Sequence, residues 1–75
     1  MTSHLKMVLT DRPGSLIRVL GLAERRGCNL ISVQTMPEGR DLIRLRLSLR
    51  TKRPIALLQR QMEKLYDVHS VEVMS

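Results

Sequence analysis

The sequence predicts an α+β sandwich: a four-stranded antiparallel sheet with two helices on one face. Two patterns carry that expectation. Residues 41–50 (DLIRLRLSLR) alternate strictly between apolar and polar side chains, and two other segments repeat apolar residues at helical three-and-four spacing. Their order along the chain is strand, helix, strand, strand, helix, strand.

The first strand is read at residues 4–10, where Leu5, Met7 and Leu9 point one way and Lys6, Val8 and Thr10 the other. Asp11-Arg12-Pro13-Gly14-Ser15 then makes a turn, because Pro13 biases Arg12 away from helix and Gly14 permits a tight backbone. A helix is expected from Ser15 to Arg26, with Leu16, Val19, Leu20 and Ala23 as its buried stripe. Arg25 and Arg26 fall in the last turn, where positive charge suits the helix dipole, and Gly27 is placed as the left-handed stop. Gly21 lies mid-helix at a cost of ~1 kcal/mol relative to alanine, which a close approach of backbone or partner would explain.

The second strand spans residues 29–36, and Pro37-Glu38-Gly39-Arg40 reads as a hairpin turn. In residues 41–50, Ile43, Leu45, Leu47 and Leu49 face the core, and Arg44, Arg46, Ser48 and Arg50 face water. Pro54 suits the first turn of a second helix that keeps its stripe through Ile55, Leu58, Met62 and Leu65. Asp67 breaks the pattern, and residues 68–74 form the last strand with Val71 and Val73 on one face. Right-handed crossovers put both helices on one side, giving a ferredoxin-like βαββαβ fold with its outer strands unpaired. All 75 residues are read as one domain, 1–75, with a thin core that makes association plausible.

Thirteen Lys and Arg against seven Asp and Glu give a formal charge of +6. That balance suits an acidic surface, an anionic ligand or a nucleic acid without choosing among them. Nucleic-acid binders of this fold stack bases on aromatic residues of the open sheet face. Here that face offers Arg44, Arg46, Ser48 and Arg50, and Tyr66 is the single aromatic of the chain, so the nucleic-acid reading ranks last. A solvated face or a docking face for protein is the better reading of Arg44, Arg46 and Arg50. One cysteine, Cys28, excludes an internal disulfide and is read as a buried structural thiol. No apolar run is long enough to span a membrane and residues 1–6 lack signal-peptide character, so a cytoplasmic location is expected. His4 and His69 stand outside any metal-ligand spacing, and no catalytic constellation or phosphate loop is evident.

The Asp11–Leu16 stretch is the informative one. Backbone amides at Gly14, Ser15 and Leu16, at the head of a helix, suit a carboxylate, and Asp11 suits an ammonium group. Together they complement a free amino acid. An ordinary capped turn is the competing reading.

A strand ending in DRPG, followed by SLIRVLGLAERRGCNLISVQTMP, resembles the ACT-domain pattern. Arg25-Arg26-Gly27-x-Asn29-Leu30, with Gln61-Met62-Glu63-Lys64-Leu65-Tyr66-Asp67-Val68, is most similar to acetolactate synthase small subunits of the short form. The resemblance implies a non-catalytic chain that activates a large catalytic subunit in branched-chain amino-acid synthesis. Thiamine diphosphate, Mg and FAD would belong to that subunit, and this chain would hold no cofactor. It also implies a homodimer through edge strands. An effector amino acid, usually valine, would bind Asp11, Gly14, Ser15 and Leu16 of one chain, with Asn29 and Leu30 of its mate. Asp11 replaces an Asn common in valine-sensitive members, and Arg12-Pro13 differs from their usual turn. Both features are similar to the valine-insensitive isozyme. A free-standing amino-acid sensor with another partner is the alternative.

Overall fold

The computed structural model describes residues 2–74. Met1 and Ser75 of the expected 1–75 domain lie outside them. The elements are β1 (Thr2–Thr10), α1 (Ser15–Arg25), β2 (Asn29–Gly39), β3 (Leu42–Arg50), α2 (Ile55–Glu63) and β4 (Val68–Val73). The sheet has the order β2-β3-β1-β4, every pair antiparallel. This is the βαββαβ sandwich that the alternation and helical spacing predict.

The core forms where period two meets period 3.6. Leu5, Met7 and Leu9 of β1 and Leu45, Leu47 and Leu49 of β3 are fully buried and pair across the sheet, Leu5 with Leu47 and Met7 with Leu45. Val19, Leu22 and Ala23 of α1, Leu58 and Met62 of α2, and Val71 of β4 close over them. The α1 stripe is rotated from the expected one. Ser15, Val19, Leu22 and Ala23 are buried, while Leu16 and Leu20 flank the core half-buried. Ser15 takes the innermost place because it is small and its hydroxyl is satisfied locally, donating to the Arg12 carbonyl at 3.0 Å.

The hairpin differs from the sequence expectation. Pro37, Glu38 and Gly39 continue β2, and the turn is Arg40-Asp41. Proline is tolerated there because β2 is an edge strand. Asp41 takes φ 59°, a left-handed conformation that aspartate adopts more readily than most residues. A bulge between Leu30 and Ser32 shifts the β2 register, leaving Val33 opposite Leu47 and Gln34 opposite Arg46. Within the chain, no backbone outside its own helix approaches Gly21; a Cβ there would meet only the tip of Arg25 at 3.2 Å.

Candidate functional site

The β1–α1 turn sits where three connections converge. The Asp11 amide donates to the Asp41 carbonyl at 2.8 Å, tying the turn to the β2–β3 hairpin. The Thr10 amide donates to the Asp67 carbonyl, also at 2.8 Å, tying it to the α2–β4 corner. Gly14 precedes α1 with φ 86°, a conformation costing an L-residue roughly 1–2 kcal/mol. Glycine is therefore required here by backbone geometry. The helix has no side-chain N-cap and no acidic residue in its first turn, so its positive end is not neutralised from within the helix.

The sequence-predicted residues Asp11, Gly14, Ser15 and Leu16 are contiguous around this turn. Asp11 and Gly14 are exposed, Leu16 is half-buried and Ser15 is buried. The Ser15 amide already donates to the Arg12 carbonyl at 3.2 Å, and the Arg18 amide to the Gly14 carbonyl at 3.0 Å. What the turn offers a guest is thus its Gly14–Leu16 corner together with the Asp11 carboxylate.

Asn29 and Leu30 lie elsewhere in the same chain. Asn29 is level with Arg50, which pairs with Thr2 at the far end of β1. The turn is level with Leu42, which pairs with Thr10. Eight residue steps along the strand separate the two levels, roughly 26 Å. One protomer does not bring the two halves of the predicted site together.

Three residues form a charged cluster that sequence reasoning missed. The Asp67 carboxylate is buried, its side chain 6% exposed, between Arg12 and Arg18, which are 47% and 58% exposed. Arg18 Nη1 donates to Asp67 Oδ2 at 2.8 Å. Arg12 Nε lies 2.8 Å from Oδ1 without the alignment of a hydrogen bond. Arg12 also stacks over Tyr66, 5.2 Å from its ring centre, a cation–π contact. The Arg18 guanidinium covers Gly14, 3.4 Å from where a Cβ would stand. The only signal in the sequence was an acid following the last helix with two arginines flanking the first turn.

On the open sheet face, Arg46 and Arg50 are exposed, whereas Arg44 is paired with Glu38. That hydrogen bond lowers the Glu38 pKa from its ordinary value; partial burial opposes the effect, and the charges of Arg44 and Lys6 add to it. His4 Nδ1 meets Ser48 Oγ at 2.8 Å, and His69 Nε2 meets Thr10 Oγ1 at 2.7 Å. Both histidines thus have structural partners. Among the described residues, no group of three His, Cys, Asp or Glu is placed to hold a metal, and no helix is long and apolar enough to cross a membrane.

A ferredoxin-like sandwich with a glycine turn at the head of its first helix is the architecture of a class of small regulatory domains. The chain belongs to the ACT domain family, which matches residues 11–71. No curated protein sequence matches it. Its structure is similar to the acetolactate synthase small subunit of Thermotoga maritima, at 27% identity and TM-score 0.85 over 97% of this chain and 47% of that one. The chain thus spans about half the length of that subunit. It is also similar to the ACT domain of GTP pyrophosphokinase from Chlorobium tepidum, at 16% identity and TM-score 0.83, covering 99% and 97% of the two chains. An ACT domain protein from Streptococcus pneumoniae matches at 12% identity and TM-score 0.72, over 97% and 89%.

Proposed function

We propose that this ACT domain is the regulatory, non-catalytic subunit of an acetolactate synthase and acts as a homodimer through β2. The observation that carries the dimer is the β2 edge. Residues 29–37 hold no charged side chain in a chain of net charge +6. Ile31, Val33 and Met36 are 41–52% exposed along this strand, and Ile17 of α1 is 75% exposed. An unprotected apolar edge of that length calls for a strand from another chain.

Antiparallel pairing of two β2 strands centred on Gln34 sets the mate's Asn29 against Gly39. Gly39 adjoins the hairpin to which Asp11 is bonded. The two halves of the amino-acid site, separated within one protomer, then meet across the dimer axis. In that site the Gly14 and Leu16 amides receive the effector carboxylate, Asp11 its ammonium group, and Leu16 and the mate's Leu30 its aliphatic side chain. Thiamine diphosphate, Mg and FAD stay with the catalytic subunit, in keeping with an absence of catalytic grouping in the sequence.

The test is reconstitution. The chain is mixed with a cognate large subunit, and turnover and co-elution are measured. Activation with co-elution is expected; unchanged turnover with separate elution refutes the synthase reading. A free-standing amino-acid sensor is the second reading, because the fold match extends to ACT domains other than the synthase subunit. Tight binding of a branched-chain amino acid by calorimetry, without any effect on a synthase, favours it.

A further inference from the structure

Along α2, on the side away from the first turn, the structure holds a groove of about 570 Å³ between the helix, the end of α1 and the β3–α2 loop. Its base is apolar: Cys28 and Leu58 are buried there, and Pro54 and Leu57 line its wall. Leu57 is 48% exposed and stands off the Ile55-Leu58-Met62 stripe that packs the core. The fold gains little from leucine at that position. Around this base stand Arg26, Arg53, Arg60 and Lys64, with Glu63 as the one acid. Among the described residues none of these four cations is in an ion pair; Arg26 donates only to the neutral Gln61, at 3.2 Å. An apolar centre ringed by unneutralised cations is the anatomy of a protein-docking site, where apolar anchors carry affinity and the charged rim selects the partner.

We infer that this groove is a docking site for an acidic segment of a partner protein that carries an apolar anchor such as leucine. Charge complementarity commits it to an acidic occupant. The open groove with an apolar base fits a side-chain anchor, and no aromatic lines it to stack a base. None of its lining residues belongs to the β1–α1 turn or to β2, and Cys28 at its base directly precedes Asn29. It holds for any ACT-regulated partner and does not depend on the synthase reading.

The test uses the whole ¹⁵N-labelled chain and a synthetic amphipathic Glu/Leu helical peptide as probe. Amide shifts are expected at Cys28, Leu57, Arg60 and Lys64. Leu57→Glu and the pair Arg53→Glu with Arg60→Glu should each weaken binding about tenfold, the equivalent of ~1.4 kcal/mol. Arg46→Glu with Arg50→Glu, on the open sheet face, should weaken it less than either groove change, through general charge alone. Circular dichroism checks that each variant keeps its fold; all these residues are at the surface. The inference is overturned if the shifts fall on the sheet face or the groove variants bind as well as the parent. It is equally overturned if polyglutamate lacking leucine binds as tightly, if a single-stranded oligonucleotide binds more tightly, or if no shifts appear.

Discussion

The Arg12–Asp67–Arg18 cluster makes an asymmetric prediction. Asp67 is buried while both arginines stand half in water. Removing the acid leaves two arginines that water readily rehydrates. Removing the arginines leaves a carboxylate in the core with no counter-charge, and that is the expensive direction. A charge-assisted hydrogen bond contributes ~1.5–3 kcal/mol when well shielded, and exposure of the arginines reduces this to about 1 kcal/mol each. Adding the cost of the stranded carboxylate, Arg12→Met with Arg18→Met should destabilise the domain by ~3 kcal/mol, and Asp67→Asn alone by ~1 kcal/mol. At ~4–8 °C per kcal/mol for a domain of this size, the double variant should melt roughly 12–24 °C lower. Arg18→Met should account for more of the loss than Arg12→Met, because only Arg18 is aligned as a donor. The assay is urea denaturation followed by circular dichroism at fixed protomer concentration, since dimerisation would shift the midpoint. The decisive variant adds Asp67→Asn to the double. With the buried charge gone, the triple variant should recover most of the loss. A triple variant whose losses simply add would refute the reasoning.

Gly21→Ala should raise stability by about 1 kcal/mol in thermal melts, because helix propensity improves and only the movable tip of Arg25 is in the way. Gly14→Ala should lower it by roughly 1–2 kcal/mol through its positive φ, and calorimetry with valine should show any effector binding lost with it. Val33→Lys should convert a dimer to a monomer in sedimentation equilibrium while the melting temperature of the isolated fold changes little, Val33 being 41% exposed. Glu38 supplies the pH dependence. Its folded pKa lies below the ordinary range, so its pairing with Arg44 is intact above the unfolded pKa and is lost only as pH falls through the lowered folded value. In an NMR titration Arg44→Met should return the Glu38 midpoint to the usual carboxylate range.

Much of the fold was legible because burial follows period. The alternation of β1 and β3 named the core leucines, and a one-residue error would have turned them to solvent. The hairpin was misread because Pro37 and Gly39 are strong turn formers taken alone. What moved the turn to Arg40-Asp41 is the edge position of β2, which frees the proline from donating, and that is a fact of topology. The α1 stripe is rotated because helical spacing alone fits both Leu16-Leu20 and Ser15-Leu22 beside Val19 and Ala23, and Ser15 can be buried because the Arg12 carbonyl satisfies its hydroxyl. At the turn, Asp11, Gly14, Ser15 and Leu16 are neighbours in sequence and were readable together. Asn29 and Leu30 lie eight strand steps away in the same chain, and only the proposed dimer would bring a mate's copies to the turn. The Asp67 cluster spans 49 residues between Arg18 and its acid, beyond any local pattern.

The structure also redistributes the meaning of the net charge. A total of +6 does not by itself say where on the surface anions are attracted. Around the β1–α1 turn, Asp11, Asp41 and Asp67 offset Arg12, Arg18 and Arg40, and the two nearest guanidinium groups are already held by Asp67. Attraction there rests on oriented backbone amides, whose reach is short and whose geometry is demanding. That favours a small zwitterion seated in one orientation over a diffuse polyanion. Among the described residues, cations outside any ion pair include those around the α2 groove and Arg46 and Arg50. Long-range steering of an acidic partner therefore comes from surfaces away from the turn, so a small effector and a protein partner need not compete for the same charges. Under the proposed function that separation lets effector occupancy alter the dimer at β2 while the partner stays bound.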